Sequence, residues 1–185
     1  MTASTVTLWE TIAEEAALES TLWAAALRSP RERERVPVFS PLGERRFALG
    51  LETIYEGYLL HYGQPRLFAP ADRDTSVLLG DYLYAHGLVR IAQLGNVAVV
   101  ADLAALISLC AQLRADGDVD DGPLWAATVA LLGTGDERLS DARAARPDEN
   151  DNRPQKRRRL VDAAAAVVGR EAVGRALALH EERVH

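Results

Sequence analysis

The strongest constraint in this chain is its punctuation: Gly and Pro fall where they divide apolar, helix-periodic stretches into lengths a bundle can use. Ser29-Pro30, the Tyr62–Pro70 segment with Gly63, Pro65 and Pro70, Gly95-Asn96 and Gly122-Pro123 are the main breaks. Thr7 and Glu10 have the spacing of a capping box. From there Leu8, Ile12, Leu18, Leu22, Ala25 and Ala26 recur at helical period to Leu27, which predicts one first helix. Pro30, Pro37, Pro41 and Gly43 make residues 30–45 an irregular connection that also carries Arg31, Arg33, Arg35 and Arg45. A second helix is predicted from Arg46 to about His61, and a third after Asp72 or Asp74 as N-cap. The third should bury a stripe of Val77, Leu78, Tyr82, Leu83, Ala85, Val89 and Ala92. Val97–Ala115 is apolar nearly all round and is expected to be the central helix.

Past the acidic turn Asp116–Gly122, Pro123 suits the start of a fifth helix reaching Leu132. Thr134–Pro154 is polar, with a short helix expected over Glu137–Ala145, and the tail is helical with a break at Gly169. The expected organisation is a helical core over 1–133, a flexible polar linker over 134–154, and C-terminal helices over 155–185 packing on the core.

Composition agrees with an all-α chain. Hydrophobic residues are 48%, but Phe and Trp contribute three each, so Ala, Leu and Val carry the apolar content. That mixture favours helix on helix over a sheet rich in β-branched and aromatic residues. A net charge of -6 argues against nucleic acid as a partner. Cys110 is the single cysteine, excluding an internal disulfide and a cysteine zinc cluster, and is expected to be a buried, inert thiol. No signal-peptide pattern is evident, the longest apolar stretch falls short of a membrane span, and the expected location is the cytoplasm.

Two stretches carry a family likeness. Ala48-Leu49-Gly50-Leu51-Glu52-Thr53-Ile54-Tyr55-Glu56-Gly57-Tyr58-Leu59-Leu60-His61 is similar to the polyprenyl diphosphate synthase helix reading roughly A-x-x-L-E-x-I-H-x-x-S-L-I-H. Val77-Leu78-Leu79-Gly80-Asp81-Tyr82-Leu83-Tyr84-Ala85 resembles the same family's A-V-L-x-G-D-x-L-x-x-A segment. The resemblance implies a shortened antiparallel helix bundle of the isoprenoid-synthase type around a deep pocket. Members hold magnesium and an allylic diphosphate with two D-D-x-x-D motifs, since several carboxylates must bind the metals of a polyanion. The first motif should follow His61, where this chain has Tyr62-Gly63-Gln64-Pro65-Arg66. A rival register lays Glu52-Thr53-Ile54-Tyr55-Glu56 over the motif, with Thr53 at one aspartate position. No second motif lies downstream.

The resemblance therefore implies a non-catalytic synthase-like protein, an accessory subunit or pseudoenzyme, expected as a homodimer or a heteromer with a catalytic subunit. The alternatives are a stand-alone homodimer binding an isoprenoid or other lipid, and a residual prenyltransferase. No cofactor is expected, except Mg2+ if residual transferase activity exists. Candidate substrate or pocket residues are Arg33, Arg35, Glu52, Glu56, His61 and Asp81.

Each candidate also has a plainer reading. Arg33 and Arg35 stand near the family's diphosphate-binding G-K-x-x-R-P, but in a run of alternating charge that usually marks a solvated surface. His61 and His86 lack partners at ligand spacing. Gly80 inside a helix needs compensation, most simply the close approach of a neighbouring helix, and Asp81 beside it is partly buried and paired, or faces the pocket. Asp116–Asp121 faintly resembles a calcium loop, but its glycine is one place late and Ala127 stands where a bidentate Glu is required, leaving a solvated turn with capping aspartates. The Gln155–Arg159 run starts a helix and is solvated or attracts an anion.

Overall fold

The computed structural model describes residues 7–137, 139 and 153–184. Among them are eight α-helices and no strand: α1 Leu8–Glu19, α2 Thr21–Ala26, α3 Ala48–Tyr62, α4 Arg73–Gln93, α5 Val97–Ala115, α6 Gly122–Ala130, α7 Arg153–Val168 and α8 Arg170–Val184. The all-α expectation holds. The expected short helix over Glu137–Ala145 lies almost wholly outside the described residues.

Local chemistry sets most boundaries. The capping box at Thr7 is formed, with the Glu10 N–H donating to the Thr7 hydroxyl and the Glu10 carboxylate accepting the Thr7 N–H. Asp72 rather than Asp74 caps α4, accepting the Thr75 N–H at 2.7 Å. Asn96 caps α5 through Val99 N–H, after Gly95 ends α4 at φ 76°. One prediction fails here: the first helix is two. Ser20 is extended at φ -151°, and its hydroxyl accepts the Leu22 N–H, so it ends α1 and caps α2. Serine competes for backbone donors in this way, and the apolar periodicity across Ser20 concealed it.

The centre of the bundle is α3, not α5 as the sequence predicts. Every residue from Gly50 to Leu60 is buried, whereas α5 buries only Val99, Asp102, Leu103, Leu106 and Cys110. At 19 residues α5 is long and apolar enough, by length and composition, to cross a bilayer, which corrects the expectation that this stretch falls short. One side of it packs in the core.

The face of α4 is also rotated from the expected stripe. Leu78 and Val89 are more than half exposed and Ala85 and Ala92 lie outward, while Leu79, Gly80, Leu83, Gly87 and Ile91 are buried. The cause is glycine. A Cβ on Gly57 would stand 2.8 Å from the Gly80 carbonyl, and one on Gly87 would stand 2.5 Å from an Ile54 side-chain carbon and 3.0 Å from the Gly50 carbonyl. Gly50 thus faces Gly87 and Gly57 faces Gly80. This antiparallel pair puts two backbones in contact, and dispersion from that contact offsets the helix cost of the glycines. The compensation expected at Gly80 is this close approach.

A smaller core of Trp9, Ile12, Ala16 and Ala26 packs on Leu60, Leu67, Phe68, Leu79 and Leu83. It is tied by the bridge of Leu27 to Phe68, with Arg28 N–H donating to the Leu67 carbonyl at 2.9 Å. At the other end Leu160, Ala163, Ala164, Val173 and Ala176 join α7 and α8 to the main core. The C-terminal helices pack on the bundle.

Candidate functional site

The residues with chemical potential converge on α3. Glu52, Tyr55, Glu56 and Tyr58 lie within two turns and are all buried. Burying two carboxylates needs a cation, and Arg66 supplies it with a side chain fully excluded from solvent. Its Nη1 donates to Glu52 at 2.7 Å and to the Val36 carbonyl at 2.9 Å, and its Nε donates to Glu56 at 2.9 Å. The second oxygen of Glu56 accepts the Leu67 N–H at 2.7 Å. The guanidinium lies over the rings of Trp9 and Tyr55. Burial works against the charge on Arg66, but Glu52 and Glu56 more than offset it and hold the guanidinium above its ordinary range.

Beside this ion cluster stands a second network centred on Asp121. Tyr58 donates its hydroxyl to the carboxylate, 2.8 Å from both oxygens. The Arg114 Nε donates at 3.1 Å, and Nη2 contacts the Tyr58 hydroxyl. His180, from α8, places Nε2 3.0 Å from Asp121 and Nδ1 2.9 Å from the Tyr55 hydroxyl. A carboxylate only accepts, so Nε2 carries the proton there and Nδ1 accepts from Tyr55. Phe39, Tyr55 and Tyr58 surround the imidazole, and Trp125 stacks on Phe39 at 5.4 Å to back the box. Burial, the largest influence, raises the Asp121 carboxyl, yet hydrogen bonds from His180 and Arg114 outweigh it and leave the group below its ordinary value. Burial pushes Tyr55, Tyr58 and Cys110 well up, so the phenols remain donors and the thiol is inert.

The expected solvated turn with capping aspartates is therefore wrong at its last residue. Asp121 makes no side-chain cap for α6 and is wholly buried. Asp118 and Asp120 are bound to Arg157 from the basic start of α7. Among the described residues no group of three or more His, Cys, Asp and Glu is placed to hold a metal ion.

The other candidates do not join this core. Arg33 donates its Nε to the Arg28 carbonyl at 3.0 Å, and Arg35 pairs with Glu10 at 3.1 Å on the surface. Asp81 is 65% exposed, so it is not buried beside Gly80; its carboxylate approaches His61 Nε2 at 3.2 Å, at angles short of a hydrogen bond. The His61 ring stacks on Tyr84 at 5.1 Å. Burial lowers its pKa, with Asp81 opposing and Arg73 reinforcing the shift. His86 pairs with Glu15 at 2.7 Å. Of the six candidates, Glu52 and Glu56 share the buried cluster, His61 and Asp81 meet nearer the surface, and Arg33 and Arg35 stand apart.

The stretch after His61 runs along the surface, with Tyr62, Gly63 and Pro65 half-buried and Gln64 exposed, until Arg66 turns inward. Gly63 ends α3, and a Cβ there would stand 2.7 Å from the Arg183 carbonyl. Gln64 donates its N–H to that same carbonyl at 2.9 Å. The last turn of α8 therefore packs against the start of the segment at which the resemblance places metal-binding aspartates.

Sequence reasoning missed Arg66, Tyr58, Arg114, Asp121 and His180. The available signal was the buried-helix pattern itself: two carboxylates and three tyrosines on so apolar a helix require partners. Comparison with family models, with curated proteins and with solved structures finds no match to this chain.

Proposed function

We propose that this chain is a non-catalytic helical protein of the polyprenyl diphosphate synthase type, acting as an accessory subunit in isoprenoid biosynthesis. One observation carries the reading: both carboxylates of α3 are already paired with the buried Arg66, and the last turn of α8 is bonded to the segment after His61. Glu52 and Glu56 in the rival register would have to leave a buried ion cluster to meet magnesium. Losing one side of such a cluster costs about 3–5 kcal/mol, which opposes metal binding there.

The test has two arms. Incubation with dimethylallyl and isopentenyl diphosphates and Mg2+ should yield no prenyl product, and product formation would establish the residual transferase instead. Pull-down from the native host should recover a full-length synthase, and its absence would remove the accessory reading.

The surface favours a second reading, a stand-alone homodimer. The outward side of α4 and α5 presents Leu78, Val89, Leu94 and Val97, with Ala101 and Ala104 between charges that are sparse. Two helices of about 30 Å each make a face large enough for roughly 800 Å² per partner, the size of a stable interface. Such a face is covered in most proteins that keep one. Sedimentation equilibrium of the purified chain should show a dimer; a monomer throughout the micromolar range would oppose self-association and leave the heteromer.

A further inference from the structure

The helix that closes the site differs from the rest of the bundle in how it is attached. A single residue, Gly169, separates α7 from α8, at φ 89° and with open space where a side chain would stand. It is a joint that only glycine adopts without strain. Beyond it, α8 fully buries Val173, Ala176 and His180, while Ala172, Leu177, Leu179 and Val184 are only partly buried against the core. Gly174 sits inside the helix with nothing within 4 Å of a Cβ, so it weakens the helix without serving packing. By contrast, α3 is buried along almost its whole length. Elements with little buried apolar surface open first.

The polar contacts that hold α8 lie at the far end from its joint. His180 binds Asp121 and Tyr55, the Arg183 carbonyl accepts the Gln64 N–H, and the Arg183 guanidinium pairs with Glu34. The His180 position lies about 16 Å along the helix from Gly169, at 1.5 Å per residue. Beneath it, Phe39, Tyr55 and Tyr58 surround the imidazole, Trp125 packs on those three rings, and a Cβ on Gly122 would touch the imidazole at 2.9 Å. Hinge and polar fastening are thus separated, and within that fastening His180 is the side chain seated in a polar-aromatic box.

We propose that α8 is a latch that opens as a unit about Gly169 with His180 as its catch, uncovering the box of Phe39, Tyr55, Tyr58 and Trp125 while α3–α6 stay folded. The inference rests on the attachment of α8 and stands whether or not the accessory-subunit reading does. Opening replaces an internal imidazole with solvent or with a ring from outside, so the box becomes available only in the released state.

Hydrogen exchange of the full-length wild-type chain, read by mass spectrometry under native conditions, tests it. Peptides spanning 172–183 should exchange at least tenfold faster than peptides spanning 51–60, with little dependence on low urea. Equal protection of the two regions would overturn the proposal, because α8 would then open only with global unfolding. In His180→Ala, exchange of 172–183 should rise a further tenfold or more while 51–60 changes less than twofold. An equal rise in both regions, or no rise at all in 172–183, would overturn His180 as the catch. If that variant does not fold, the wild-type comparison decides.

Discussion

Replacing Arg66 with Met removes the cation from beneath two buried carboxylates while keeping a side chain of similar reach. Trp9 and Tyr55 retain an apolar neighbour, so packing loss is small. The electrostatic loss is not. Glu52 at 2.7 Å and Glu56 at 2.9 Å are both left in an interior without their counterion, a change worth about 3–5 kcal/mol. Against a total stability of roughly 5–15 kcal/mol that is a large share. At about 2–4 °C per kcal/mol for a chain of this size, Tm should fall by roughly 6–20 °C. Urea unfolding followed by circular dichroism should show the midpoint moving with an unchanged slope. The triple variant Arg66→Met, Glu52→Leu, Glu56→Leu should recover most of the loss, because no buried charge remains. It should stay about 1–3 kcal/mol short, since the Leu67 N–H loses its acceptor on Glu56. A loss below about 1 kcal/mol in the single variant, the range of an exposed pair, would refute the reasoning, for it would mean that the carboxylates reach water.

The glycines make opposite predictions in thermal melts: Gly87→Ala should cost about 1–3 kcal/mol by forcing α3 and α4 apart, whereas Gly174→Ala, in open space, should add roughly 0.5–1 kcal/mol. Asp121 is held below its ordinary value of 3.8, so its stabilisation is present above that pH and is lost as pH falls through the folded-state value; Asp121→Asn should remove this acid dependence from urea midpoints measured across pH. His61, lowered below 6.5 by burial, contributes stability above pH 6.5 that declines as acid approaches its folded-state value, and His61→Gln should flatten that decline. Ala104→Glu should shift sedimentation toward monomer with an unchanged melting curve, and a dimer surviving that change would exclude the α5 face from the interface.

Local rules were legible in the residues themselves. Thr7, Asp72 and Asn96 cap helices because a short polar side chain can satisfy backbone donors within three residues, and Gly95 and Gly169 end them because a positive φ is cheap there. The class of fold followed from the same arithmetic of period and punctuation. Ser20 was missed for a reason of the same scale: whether its hydroxyl caps a new helix depends on the turn the chain takes toward Phe68.

Which face of each helix turns inward was decided by tertiary contact. Counting large apolar residues placed Leu78 and Val89 of α4 in the core, but the deciding fact was the depth to which Gly80 and Gly87 let α3 approach. The same count made α5 central, although α3, with its two glutamates and three tyrosines, is the helix that is enclosed. Partners for those groups come from residues far along the chain: Arg66 after a turn, Asp121 from the start of α6, His180 from the last helix. By itself the sequence determined an all-helical chain, its caps and its breaks, because those depend on neighbours within one turn. Only the tertiary structure decided that α3 is the centre and that its charges are spent inward, because burying a carboxylate depends on which distant cation the fold delivers to it.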